Sequence, residues 1–120
     1  MNEQTYVNTE ALTRLRRLGK GGQFVREIID IFLNYAPQKI ADAHAALRSG
    51  DLSAVAFAVH PLKSGAANVG AIVVQNLASQ MEDLATETKG DTLPALLQDL
   101  DAAFAQTKIE LEDAKKNLEP

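Results

Sequence analysis

Cysteine is absent from the chain. Disulfide frameworks, thiolate metal sites and cysteine nucleophiles are therefore excluded, and the composition suits a reducing compartment. No apolar stretch approaches the roughly 20 residues that a membrane-spanning helix needs. The opening Met1-Asn2-Glu3-Gln4 has neither the basic region nor the apolar run of a signal peptide. A cytoplasmic protein with no membrane partner is the expectation. Val, Ile and Thr never alternate with polar residues long enough to suggest a sheet. Internal repeats, low-complexity tracts, a dividing linker and a glycine-rich nucleotide cradle are all missing. Positive charge is also in deficit, with 12 basic against 16 acidic residues and a net charge of -4, which argues against nucleic acid as the main partner. The one basic cluster, Arg14, Arg16, Arg17 and Lys20, reads first as a solvated helix face and second as a docking patch for an acidic partner.

What remains is helical. A chain of 120 residues with 46% apolar and 23% charged side chains is too apolar for disorder and long enough for one modest core. A first helix is expected from about Thr9 to Leu18, with Leu12, Leu15 and Leu18 along one side, ending at Gly19, Gly21 and Gly22. A second runs from about Gln23 to Arg48, with Phe24, Ile28, Phe32 and Tyr35 recurring at helical spacing and Val25, Ile29 and Leu33 beside them. Pro37 should kink or break it near Tyr35 and Ala36. Ser49-Gly50 ends it, and Asp51 or Ser53 caps the third helix. There Leu52, Val55, Val59, Leu62, Ala66 and Val69 form one continuous packing seam, stopped by Gly70. A fourth helix spans roughly Ala71 to Thr88, with Val74, Leu77, Met81 and Leu84 inward. Thr92 caps a fifth, in which Pro94 occupies the first turn and Leu93, Leu97, Leu100, Phe104, Ile109 and Leu111 are apolar. Short loops favour antiparallel neighbours, so the expected fold is all-α. It is an up-down four-helix bundle over about 23–116, preceded by a short N-terminal helix, in one domain spanning 1–120.

The run His60-Pro61-Leu62-Lys63-Ser64-Gly65-Ala66-Ala67-Asn68-Val69-Gly70-Ala71 stands apart. If Val59 and Leu62 point into the bundle, His60 lies one step around the helix, at the edge of the buried seam. Its same-face neighbours are Ala56, Phe57, Lys63, Ser64 and Ala67. Three of these five are Ala or Ser, so the imidazole is expected on a shallow, uncrowded surface where another protein can approach. An exposed imidazole, with a reference pKa of about 6.5, is substantially neutral and nucleophilic at cellular pH. Lys63, one turn on, can place an ammonium near a phosphoryl group, and Ser64 can donate a hydrogen bond to it. An isolated surface histidine is more often a solvated residue. His44, among alanines but without a Lys or Ser one turn later, is read that way. A metal site joining the two histidines is not expected, because they sit on different helices with no further ligands.

The same run resembles the signature of histidine phosphotransfer (HPt) domains, the intermediate carriers of multistep phosphorelays. The matching residues are His60, Leu62, Lys63, Ser64, Gly65, Ala66 and Gly70. Leu15-Arg16-Arg17-Leu18-Gly19 with Phe24 to Pro37, Ala46-Leu47-Arg48-Ser49-Gly50-Asp51, and Met81-Glu82-Asp83-Leu84 resemble further segments of that family. The resemblance implies that His60 accepts a phosphoryl group from a receiver-domain phospho-aspartate and passes it to another receiver. Lys63 and Ser64 would assist, and Gly65 and Ala67 would keep the surface low. It implies response-regulator receivers and a hybrid sensor kinase as partners. The chain itself needs no cofactor, because the receiver brings the Mg²⁺. Family members often carry a Gln at the position of Glu82 that orients the imidazole. Glu82 either accepts from the ring N–H or is a solvated charge.

Two departures bear on geometry. Pro61 removes an N–H and disfavours helical geometry at His60, predicting a local kink and a Phe57 carbonyl without its helical donor. Ser64 stands where the family often has Gly. With no kinase segment and no receiver in the sequence, a free-standing, non-enzymatic and monomeric shuttle is expected. The alternative is a protein that docks on a receiver or kinase and modulates it without carrying phosphate. A third, a small-molecule or metal-binding bundle, lacks the polar seam residues it would need. The expected docking surface combines Phe57 and Ala67 with Leu12 and Leu15, although core packing is the simpler reading of the two leucines.

Overall fold

The computed structural model describes residues 5–19 and 21–118. Five helices follow one another: α1 (Thr9–Leu18), α2 (Gly22–Arg48), α3 (Leu52–Val69), α4 (Ile72–Thr86) and α5 (Leu93–Lys116). Around the core, α2 packs on α3, α3 on α4, α4 on α5 and α5 back on α2, while α1 lies against α2 and α3. Among the described residues the backbones of the diagonal pairs α2–α4 and α3–α5 do not approach closely. That closed ring, joined by the short segments 49–51, 70–71 and 87–92, is the up-down four-helix bundle with an added N-terminal helix.

Each junction has a physical cause. Asp51 caps α3 by accepting from the Ala54 N–H at 3.0 Å. Gly70 ends α3 in the left-handed region at φ 74°. Ala71 N–H reaches Ala66 O at 2.8 Å and Gly70 N–H reaches Ala67 O at 3.3 Å, the bond pattern of a Schellman turn. The N-terminal segment locks onto this turn: Asn8 N–H donates to Gly70 O at 2.7 Å, and Ile72 N–H donates to Tyr6 O at 3.1 Å. Glu110 of α5 accepts from the backbone N–H groups of Tyr6 and Val7, so three elements meet at this end of the bundle.

The α3 seam is as expected, with Val55, Val59, Leu62, Ala66 and Val69 buried and Leu52 at its half-buried end. Other stripes are corrected. In α2 the buried line is Val25, Ile29, Phe32, Ala36, Ile40 and Ala43, so its centre is one residue beyond the expected one. Phe24 flanks it, because steps of three and four from Val25 carry the seam through to the small alanines near the loop. Pro37 does not break α2, and Pro61 does not break α3. A mid-helix proline costs about 3 kcal/mol, but Ala36 and Ile40, like Val59 and Leu62, are buried on either side and hold each helix through it. In α1 only Ala11 and Leu12 are buried, where the α3–α4 turn covers the first turn; Leu18 at the far end is 82% exposed. In α4 the innermost residues are Val74, Ala78, Met81 and Ala85, with Leu77 and Leu84 half-buried. Thr92 makes no capping bond, because its backbone is helical (φ -94°, ψ -4°) rather than extended. In α5, Thr107 replaces Ile109 inside: the run 100, 103, 107, 111 keeps helical spacing, and Ile109 is 58% exposed.

Two stability predictions follow from these positions. Thr107 is fully buried, and its Oγ1 has no hydrogen-bond partner. Thr107→Val should therefore raise unfolding free energy by about 1 kcal/mol, measured as a higher urea midpoint at unchanged slope. A Cβ at Gly70 would lie 2.3 Å from Asn8 O, on a backbone that disfavours side chains. Gly70→Ala should lower stability by more than about 1 kcal/mol, seen as a lower melting temperature.

Candidate functional site

The site is built where α3 lies between α2 and α4. Val59 and Leu62 are fully buried, so His60 is turned to the edge of the seam and its side chain is 59% exposed. Lys63 stands one turn further along the same edge. On α4, Met81 is fully buried, which brings Glu82 to the facing edge. One carboxylate thus reaches both α3 side chains: Glu82 Oε2 is 2.7 Å from His60 Nδ1, and Oε1 is 2.6 Å from Lys63 Nζ. Glu82 is accordingly paired with both α3 side chains and largely shielded from solvent.

The bond fixes the ring's protonation pattern. An ionised carboxylate only accepts, so Nδ1 donates, and in the neutral ring the lone pair is left on Nε2. The Lys63 ammonium approaches Oε1 off the ideal hydrogen-bonding direction, and serves this solvent-shielded oxygen as a counter-charge. Lys63 first, and the His60 ring second, hold the Glu82 carboxyl below the usual range against the opposing effect of its partial burial. In return, Glu82 raises the pKa of Lys63.

Behind His60, α2 supplies a support that was not foreseen. Tyr35 Oη donates to the Pro61 carbonyl at 3.2 Å. A Cβ at Gly65 would lie 1.6 Å from that hydroxyl, so Gly65 is what lets the Tyr35 side chain cross α3. Burial raises the Tyr35 pKa. His60 stays helical despite Pro61, whose own side chain is half-buried beside an open groove of about 370 Å³. Lys39, Ser53, Ala56 and Phe57 also line this groove, and Phe57 is 80% exposed. Ser64 and Ala67 are exposed. Leu12 is buried and Leu15 half-buried against the core, so neither offers the open surface that Phe57 and Ala67 do.

The remaining candidates lie elsewhere. His44 is not simply solvated: its Nε2 lies 3.0 and 2.9 Å from the two carboxylate oxygens of Asp101, tying α2 to α5. Among the described residues no group of acidic and histidine side chains is arranged to hold a metal ion. No described helix is long and apolar enough to cross a membrane. Arg14, Arg16 and Arg17 are exposed, and Lys20 lies outside the described residues. The presence of Tyr35 and Lys39 beside this site was not readable from the sequence, for one common cause. Both depend on the register of α2 against α3, which helical periodicity within one segment does not encode.

The family model of the Hpt domain matches residues 27–117. The chain belongs to the Hpt domain family. Histidine phosphotransfer within a phosphorelay is therefore its role, and Hpt domains interact with receiver domains and hybrid kinases. No curated relative matches this chain. The fold of this Hpt domain is similar to that of histidine-containing phosphotransfer protein B (HptB) from Pseudomonas aeruginosa PAO1. The TM-score is 0.88 at 21% identity, over 98% of this chain and 100% of that one. It is also similar to the HPT domain from the Hpt sensor hybrid histidine kinase from Shewanella. There the TM-score is 0.80 at 14% identity, over 96% and 97% of the two chains.

The Glu82 ion pair makes a pH prediction. A folded carboxyl pKa below the unfolded value stabilises the fold above about pH 4.3 and loses that contribution as pH falls through the folded pKa; a raised lysine pKa contributes below about pH 10.4 and fades above its folded value. Lys63→Met should move the Glu82 titration up from its lowered position, followed by the ¹³C shift of its carboxyl carbon. The stability difference between variant and wild type should vanish in strong acid. A Glu82 titration unmoved by the substitution would leave His60 as the group that holds it.

Proposed function

We propose that His60 accepts the phosphoryl group of a receiver-domain phospho-aspartate on Nε2 and returns it to a second receiver. The observation that carries this reading is the 2.7 Å bond from Nδ1 to Glu82 on an otherwise exposed ring. It commits one nitrogen and leaves the other lone pair facing outward. In the forward step, the Nε2 lone pair forms an N–P bond. The acyl P–O bond breaks, and its electron pair stays on the receiver's aspartate carboxylate. No proton has to move: Nδ1 keeps its hydrogen, and the ring becomes cationic against the Glu82 carboxylate. Transfer onward is the reverse step on a second receiver.

This chain contributes presentation and charge compensation. Glu82 sets the ring's orientation and protonation pattern, and Lys63 keeps Glu82 ionised and in place. Ser64, exposed one turn after His60, donates a hydrogen bond to the transferring group. Gly65 and Ala67 keep the surface low enough for a receiver to approach, and Phe57 offers it an apolar contact. The Mg²⁺ belongs to the receiver, and this chain acts as a carrier without an ATP site. We take it to work as a cytoplasmic monomer between a hybrid sensor kinase and a response regulator, without nucleic acid or membrane contact. A docking-only module would have no use for the arrangement of His60, Glu82 and Lys63.

The test is transfer from a phosphorylated receiver to the wild type and to His60→Gln. Wild type should take up label in an acid-labile, base-stable form, and His60→Gln should take up none while still binding the receiver. Binding without label in wild type would replace the carrier by the docking-only reading.

A further inference from the structure

The Lys63 ammonium is already engaged. It lies 2.6 Å from the Glu82 oxygen that solvent does not reach, and drawing it away would leave that shielded oxygen without its nearest cation. A phosphoryl group on His60 adds about two negative charges, and with Lys63 held by Glu82 a second cation beside the ring would offset them. The groove beside His60 has one on its α2 wall, Lys39.

The register of the α2–α3 hairpin puts it there. The two helices run antiparallel on either side of residues 49–51, and Tyr35 crosses to Pro61 and Gly65. Lys39 is one turn nearer the loop on the same face of α2 as Tyr35, which brings it level with His60. Its side chain is one-third exposed, and among the described residues its ammonium is held by Asp42 alone, 3.9 Å away at the outer limit of an ion pair. Such an exposed, same-helix pair contributes little and gives way to a stronger anion.

We propose that Lys39 is a phosphoryl-binding residue: its ammonium leaves Asp42 and contacts the phosphoryl oxygens on His60, while Lys63 stays with Glu82. This assignment rests on His60 as the acceptor. It places the two charges needed for transfer on separate helices, Glu82 facing the cationic ring and Lys39 facing the anionic group.

The experiment uses the full chain phosphorylated by phosphoramidate, which needs no receiver: Nε2 bonds to phosphorus as the P–N bond of the reagent breaks and ammonia leaves. The ³¹P shift of phospho-His60 is titrated in wild type, Lys39→Met, Lys39→Arg and Lys63→Met. Loss of an ammonium within a few ångströms should raise the phosphoryl titration midpoint by about 1 pH unit in Lys39→Met, and Lys39→Arg should keep the wild-type midpoint. A midpoint unchanged in Lys39→Met, or one moved only by Lys63→Met, overturns the assignment and leaves His60 as the acceptor. Wild type that takes no phosphoryl group from phosphoramidate or from a phosphorylated receiver removes the acceptor reading and this assignment together.

Discussion

The half-buried carboxylate of Glu82 is the point on which the site depends. It is 20% exposed, and a charge so shielded requires partners. Lys63 meets one oxygen and the His60 ring meets the other, so satisfying Glu82 and aiming the imidazole are the same event. The arrangement is possible because His60 and Lys63 are three residues apart on one helix edge and the facing α4 edge is fixed by the fully buried Met81. A carboxylate in this place differs from an amide in chemistry as well as shape. It accepts at both oxygens, which rules out the flipped arrangement in which the partner donates to the ring.

The second constraint is how α3 is held against α2. Pro61 costs α3 a backbone donor directly beside His60, yet the helix does not open. Leu62 and Val59 are buried on either side of the proline, and the Tyr35 hydroxyl bonds the Pro61 carbonyl. Gly65 is the complement of Tyr35, since any side chain there would occupy the position of the hydroxyl. The small residues after His60 therefore have two separate uses. Gly65 admits α2 on the buried side, and Ser64 and Ala67 keep the exposed side low.

Much of this was legible in the residues. Helix ends at Leu18, Arg48 and Val69 follow from glycine, serine and aspartate signals with direct physical effects, and the α3 seam follows from spacing alone. Errors arose where several apolar residues competed for one stripe. Phe24 and Val25 are adjacent, as are Ala103 and Phe104, and periodicity does not choose which member of a pair faces in. The smaller residue won at Ala78, Ala85 and Ala103, because close helix approach rewards small side chains as much as large ones. The tolerance of Pro37 and Pro61 was equally out of reach, since local propensity opposes a helix there and tertiary burial outweighs it.

Chain order by itself determined the helix count, the exposure of His60 and the cation one turn later, because these depend on spacing within single helices and on the absence of bulk around one residue. The family resemblance was carried by the same local run. Tertiary structure alone decided that Glu82 holds the ring, that Lys63 is spent on Glu82, that Tyr35 supports Pro61 and that Lys39 shares the groove with His60. Each is a contact between helices, and its existence depends on rotation and register between segments that no periodicity within one segment contains.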